Sequence, residues 1–267
     1  FSGDTKVTDM LYSCYGAAIK EKNFTDLLCA IQDRYNEIIK GLNLTLSLDQ
    51  DFEEIRENKE VQTYLQMGND ALGVIGFTEH GFAHAGICAA TAAQILEQMG
   101  YDEHTITLAR IAGYLHDIGN CVNRASHAQT GAIMAFQILN RLEMDPADIA
   151  QVICAIGNHD EGTGTAVTPV SAALILADKS DVRRSRVRAV RTVATDIHDR
   201  VNYAVYTSGL SISPDRKTIT LSLKIDTGIS AVMDYFEIFL TRMLMCRKAA
   251  EFLGLQFQLQ INDTQLL

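Results

Sequence analysis

Leu115-His116-Asp117-Ile118-Gly119 is the stretch on which the reading of this chain turns. An apolar helical run, Ile106 to Leu115, delivers an imidazole and a carboxylate side by side, and a glycine follows at once. The carboxylate has two oxygens and can bridge two cations; the imidazole offers a nitrogen lone pair. A His-Asp pair alone says little. Its weight comes from its company: His84 in an earlier helical run, then His127, His159 and Asp178, each in its own apolar helical segment. Val170, Leu174 and Asp178 stand one turn apart on one face, and a carboxylate on an apolar stripe is costly unless it is paired or bound to a metal. Each of these residues alone has a plain explanation as a satisfied core histidine, a helix cap or a surface acid. Repeated at five helix ends or faces, in an apolar setting each time, accident becomes the weaker account. Imidazole plus carboxylate is a ligand set that suits iron, manganese, zinc or nickel.

Working outward, the spacing predicts helices over 5–41, from about Leu48 to before Gly76, and over Ala83 to Gln98. His84, Ile87, Cys88, Thr91 and Ile95 share one face of the last, with His80 one turn before His84. Another helix starts at His127. Asp145-Pro146 is an N-cap followed by a proline at the first helical position, and Pro169 opens the helix that carries Asp178. Gly162-Thr163-Gly164 is a loop too short to be a nucleotide fingerprint. Past residue 200 the period changes to two. Ile219, Leu221, Leu223 and Ile225 alternate with polar residues, as do Leu255, Phe257, Leu259 and Ile261, so both runs read as strands with one wet face. Tyr206 to Ile212 is a weaker strand, and a helix from Ile229 to Phe252 lies between the strong ones.

Composition limits the function classes. The 267 residues carry a net charge of −10, which argues against general nucleic-acid binding. No apolar run reaches membrane-spanning length. Six cysteines are scattered without a CxxC pair, mostly among apolar residues, which points to reduced thiols and a cytoplasmic protein. One basic run interrupts the acidic chain: Lys179, Arg183, Arg184, Arg186, Arg188 and Arg191 follow Asp178 closely. Arginine's planar fork suits phosphate.

His84, Leu-His116-Asp117-Ile-Gly, Ser-His127-Ala-Gln-Thr-Gly, Gly-Asn-His159-Asp-Glu and Ala-Asp178-Lys-Ser-Asp together resemble the HD-domain superfamily of metal-dependent phosphohydrolases, over about residues 76 to 190. Relatives in that superfamily include cyclic-dinucleotide phosphodiesterases and dinucleoside-tetraphosphate hydrolases. The resemblance implies a mainly α fold, an HD-type helical bundle, to which the alternating runs past residue 200 add a small, mostly antiparallel C-terminal β-sheet with a packed helix that the usual HD domain does not require. The chain is thus expected to divide into an N-terminal helical extension (1–47), the metal-binding helical domain (48–200) and a small α+β appendage (201–267). His84, His116, Asp117 and Asp178 are expected to hold one divalent ion, and Asp117 to bridge to a second held by His127 and His159. Asp160 stands where some relatives have a further histidine. Iron or manganese are the first expectation, with zinc, nickel, cobalt or magnesium as alternatives. Two such ions about 3.5–4 Å apart acidify a water between them, and that hydroxide attacks phosphorus. Asp117 and Lys179 are the expected catalytic residues, and Lys179, Arg183, Asn123 and Arg124 the phosphate contacts. The expected partner is a small phosphorylated substrate, a nucleotide or related molecule, with a homodimer as a further option. Two departures stand out. Asn120 occupies the lysine position of the His-Asp-x-x-Lys pattern, and the Gly-Tyr-Pro signature of one phosphodiesterase branch is absent after His159. The first keeps a mixed-valence di-iron oxygenase as the alternative; a third reading is a metal-holding domain without turnover.

Overall fold

The computed structural model describes residues 48–189 and 192–266. The helix expected over 5–41 and Arg191 of the basic run lie outside them. The single helix expected from Leu48 is two, α1 (Leu48–Glu57) and α2 (Lys59–Val74). The break falls at Asn58, whose Oδ1 accepts from the amides of Glu60 (2.9 Å) and Val61 (3.3 Å). An asparagine cap there satisfies donors that the first turn of α2 leaves open.

α3 (Phe82–Met99) ends at Gly100, whose φ of 83° is the left-handed conformation glycine adopts without strain. α4 (Glu103–Leu115) is capped by Asp102, which accepts from the Thr105 amide at 2.8 Å. A 3-10 turn (Ile118–Cys121) leads to α5 (His127–Arg141) and α6 (Pro146–Gly157). α7 (Pro169–Ser180) starts with a reciprocal Thr168–Ser171 capping box. From Val170 to Ala177 every residue of α7 is buried. A helix apolar all round has to be surrounded, and α7 packs against α3, α4 and α6.

A second 3-10 turn (Arg184–Arg186) precedes α8 (Ile197–Ala204), β1 (Val205–Ile212), β2 (Thr218–Ile225), α9 (Val232–Phe252), β3 (Gln256–Ile261) and β4 (Thr264–Gln265). The sheet order is β1-β2-β3-β4. β1–β2 and β3–β4 pair antiparallel, whereas β2–β3 pair parallel, with Ile219 opposite Phe257 and Leu221 opposite Leu259. The parallel pair follows from the connection: α9 carries the chain back to the start of β2, and a helix of that length is what a parallel crossover needs. Ile219, Leu221, Leu223, Phe257, Leu259 and Ile261 are buried, and α9 packs against β3. On the other face Thr220 donates to Gln258 and Ser222 to Gln260.

α8 is an element that the periodicity does not announce, and it runs across the expected boundary after residue 200. α9 packs on α7, so the C-terminal residues share the core of the helical bundle. Among the described residues no helix is long and apolar enough to cross a membrane. Cys88, Cys121, Cys154 and Cys246 are free thiols.

Candidate metal centre

Most of the expected ligands sit at helix ends, where the chain can turn several side chains onto one point. His84 is in the first turn of α3 and His116 follows the last residue of α4. Asp117 comes next, at φ −95° and ψ 3°, and starts the 3-10 turn. His127 opens α5 behind Ser126, a non-glycine residue in the left-handed region. His159 lies just past α6, and Asp178 near the end of α7. Gly119 explains why a glycine follows the His-Asp pair. A Cβ there would run into the carbonyl oxygen of His127 and the amide nitrogen of Gly131. Only without a side chain can the 3-10 turn lie this close to α5.

The four imidazoles are oriented alike. Nδ1 of His116 donates to Gly113 O (2.8 Å), that of His127 to Arg124 O (3.0 Å), and that of His159 to Ile156 O (2.6 Å). Nδ1 of His84 donates to Asp181 Oδ2 at 2.7 Å. Carbonyl and carboxylate oxygens only accept, so each Nδ1 carries the proton and each Nε2 is left as a lone pair. These lone pairs converge. His84 Nε2 is 3.3 Å from Asp178 Oδ1 and 3.6 Å from Asp117 Oδ2, and His116 Nε2 is 3.4 Å from the same Asp117 oxygen. On the other side, His127 Nε2 is 3.6 Å from Asp117 Oδ1 and 3.1 Å from His159 Nε2. The two oxygens of Asp117 therefore face different histidines.

These residues fit metal ions. Buried polar atoms ordinarily find partners, yet His116 Nε2 and Asp117 Oδ2 have none. Two acceptor nitrogens 3.1 Å apart repel unless a cation lies against both. Ligands about 2.1 Å from one ion stand about 3.0–3.4 Å from each other, close to the 3.1–3.8 Å found here. Two sets of side chains are close enough to hold an ion: His84, Cys88, His116 and Asp178, and His116, Asp117 and His159, with His127 Nε2 3.1 Å from that of His159. Cys88 Sγ lies 3.7 Å from His84 Nε2 and belongs spatially to the first group. Sequence spacing shows it only as a face-mate of His84. Burial and the nearby carboxylates hold its thiol well above the usual range.

Electrostatics divide the centre. Burial, with His116 and Lys179 nearby, brings His159 down to about 3, so its imidazole stays neutral. His127 is also lowered, chiefly by burial. At His116 burial works against protonation, but Asp117 and Asp178 outweigh it and raise the group. Burial likewise opposes charge on Asp117 and Asp178, and the surrounding histidines, with Lys179 for Asp178, hold both well below the usual carboxylate range. The two acids demand positive charge at this point, which a metal ion can supply in place of protons.

The expected phosphate contacts end in different places. Lys179 is buried, with Nζ 2.6 Å from Asp178 Oδ2 and 3.2 Å from Glu161 Oε2. Arg183 pairs with Asp181 (2.8 Å) and Glu79 (3.2 Å). Asn123 turns its Oδ1 to the Ala125 amide. Arg124, by contrast, lines a cavity. Its Nη1 lies 3.8 Å from Asp117 Oδ1, 3.4 Å from His127 Nε2, and donates to Asn120 Oδ1 at 3.2 Å. Asn120, in the lysine position, donates to Asp117 Oδ1 at 2.7 Å. Asp160 accepts from the Gly162 amide and joins neither ligand group.

That cavity, of about 210 Å³, opens beside the centre. His80 lines it, its ring centroid 5.5 Å from that of His84. Phe77 and Arg124 line it from one side of the chain, and Asn202, His198, Phe239 and Arg242 from α8 and α9. Arg242 Nε lies 2.6 Å from Glu161 Oε1, so an ion-pair chain runs from α9 through Glu161 and Lys179 to the ligand Asp178. Glu161 and Asp181 close two of the quoted motifs but were given no role there, and sequence reasoning had no route to Phe77, Phe239 or Arg242, because none of these carries a signal in its own segment.

Comparison with known proteins agrees with this geometry. Residues 81–200 match the HD domain family. An uncharacterised protein of Methanocaldococcus jannaschii is 30% identical over 159 residues, covering 51% of this chain and 61% of that protein. The match thus spans less than two thirds of the relative's length. Residues 81–200 therefore carry an HD domain, and the expected ligands within it stand in order and converge on one point.

Proposed function

We propose that this protein hydrolyses a phosphoester of a small molecule at a centre of two divalent ions. The observation that carries this reading is the cationic cavity beside the centre: Arg124 reaches both the cavity and Asp117, and Arg242 lines it from α9. When bound, the ions would neutralise phosphate charge and acidify a water molecule. His84, His116, Asp117 and Asp178 would hold one, and Asp117, His127 and His159 the other. The imidazole–carboxylate set suits iron or manganese.

The chain's own residues do the rest. Asn120 fixes the Asp117 carboxylate by donating to Oδ1 and to the main-chain oxygen (3.0 Å). Carbonyl acceptors on Nδ1 lock the ring planes of three histidines, and Asp181 locks the fourth; such partners keep ligand lone pairs aimed. Arg124 supplies the cation that the lysine position lacks, within reach of a phosphate oxygen in the cavity. The ligands are almost wholly buried, so bulk water meets the centre little.

The test is anaerobic turnover. Protein loaded with manganese or iron(II) is assayed for phosphate release from p-nitrophenyl phosphate, bis-p-nitrophenyl phosphate and nucleoside monophosphates, with a chelator control. Hydrolysis without oxygen and without a change in metal oxidation state supports the reading. Turnover that requires oxygen, with no anaerobic hydrolysis, overturns it in favour of the oxygenase.

A further inference from the structure

The cavity has a second property besides charge. Phe77 and Phe239 each carry an arginine over the ring: the Arg124 guanidinium is 5.5 Å from the Phe77 centroid and that of Arg242 is 4.8 Å from the Phe239 centroid. Phe77 comes from the loop after α2, and Phe239 from α9, beyond the matched HD residues. Two Arg–Phe units therefore line one cavity: Phe77, 40% exposed, offers a flat apolar surface beside a cation, and Phe239, 2% exposed, forms part of the wall. Arg242 is held by Glu161 at 2.6 Å and Arg124 by Asn120 at 3.2 Å, so both guanidiniums are oriented by the protein. Asn202 and His198 add polar groups on the α8 side. The volume, about 210 Å³, falls below the range of about 300–1,000 Å³ usual for drug-sized ligands.

We infer that this cavity is the substrate's leaving-group subsite and selects a phosphoester of one planar aryl ring, with α9 supplying the selectivity through Phe239 and Arg242. The inference rests on the phosphohydrolase reading and adds the substrate class to it. The ring would lie against Phe77 and Phe239, and its phosphoryl group would lie toward Arg124, between the cavity and the centre. A substrate with two rings would have to leave one of them in solvent.

Binding of non-hydrolysable phosphonates tests this without turnover. Methylphosphonate, phenylphosphonate and 4-biphenylphosphonate are titrated by calorimetry into manganese-loaded protein. Phenylphosphonate should bind roughly tenfold more tightly than methylphosphonate, from burial and stacking of one ring. The second ring of 4-biphenylphosphonate should add nothing. Phe77→Ala, at an exposed position, and Phe239→Leu, which keeps the core filled, should each reduce the phenyl-to-methyl ratio at least threefold. Arg124→Ala should weaken all three ligands alike, by roughly tenfold. Equal binding of methyl and phenyl compounds by the wild type overturns the ring subsite while leaving the hydrolase reading intact. Unchanged ratios in both phenylalanine variants overturn the assignment of the subsite to this cavity. A further tenfold gain with 4-biphenylphosphonate overturns the one-ring limit. No binding of any phosphonate to metal-loaded protein overturns the hydrolase reading itself, and the inference with it.

Discussion

Replacing Lys179 with methionine separates two jobs this lysine could have. From its position beside Asp178 in the sequence, it should grip the substrate's phosphate. In the fold its ammonium group is buried between Asp178 Oδ2 (2.6 Å) and Glu161 Oε2 (3.2 Å). Burial opposes its charge, but the two carboxylates outweigh burial and raise the group above its ordinary value. Methionine keeps the length and removes the charge, leaving two carboxylates facing each other in a buried site. Removing one partner of a buried ion pair costs about 3–5 kcal/mol. Glu161 keeps Arg242 at 2.6 Å, which places the cost at the lower end. A loss of about 3 kcal/mol lowers the Tm of a domain this size by roughly 6–12 °C. Thermal unfolding of metal-free and manganese-loaded protein measures it, and the loaded form should lose less, because an ion at Asp178 Oδ1 still neutralises that carboxylate. Lys179→Met/Glu161→Gln should recover part of the loss, since removing both members of a buried pair costs less than removing one. The reasoning is refuted if Tm and metal affinity are unchanged while KM for a phosphoester rises ten- to a hundredfold. That is the behaviour of a lysine that grips phosphate.

Asp117→Ala removes the ligand that the two histidine groups share; elemental analysis of desalted protein should find the metal gone, and turnover should fall by several orders of magnitude. Glu161 has a direction with pH. Burial opposes its charge, yet Lys179 and Arg242 bring it down to about 2, below its ordinary 4.5, so its stabilising contribution is complete above about pH 4.5 and is lost as pH falls toward 2. That contribution is at most about 3 kcal/mol, and Glu161→Gln should flatten the stability profile between pH 5 and 2 in urea unfolding, at the expense of stability at pH 7. Gly119→Ala forces a methyl group against the His127 carbonyl and the Gly131 amide, backbone atoms that cannot step aside; a loss of about 3 kcal/mol or more is expected by calorimetry, with weakened metal binding because His127 is displaced.

Local features were legible wherever the chemistry and the chain direction coincide. The His-Asp pair, the histidine opening α5 and the acid on the stripe of α7 announce themselves because a polar ligand in an apolar helical context is a visible anomaly. Helix starts were legible for a related reason. Asp145-Pro146 and Pro169 satisfy or remove donors that a helix start leaves unpaired, and that need is local. Alternation showed β2 and β3 because one face of each is buried and the other is wet. The parallel pairing of those two strands was not legible, since an alternating strand looks the same whichever way its neighbour runs. The division of the helix after Leu48 was missed because the apolar spacing runs through Asn58 almost unbroken, and a single cap decides the outcome.

The site's supporting shell was illegible for a different reason, and Lys179 shows it best. Proximity in sequence to a ligand suggests a shared task. On an α-helix, however, adjacent residues point about 100° apart, because a turn takes 3.6 residues. Asp178 turns Oδ1 toward His84 and His116, while Lys179 leaves toward Glu161, which is itself met by Arg242 from α9. A residue 64 positions after the ligand thus completes its charge balance, which numbering alone would never suggest. Phe239 and Arg242 lie in a segment whose apolar and charged residues read as an ordinary packed helix, and nothing local separates a ring that fills the core from one that walls a cavity. That difference exists only after α9 has docked on α7. The metal ligands are written in single segments, each with its own desolvation cost to reveal it; the cavity beside them is written between segments and becomes visible only in the fold.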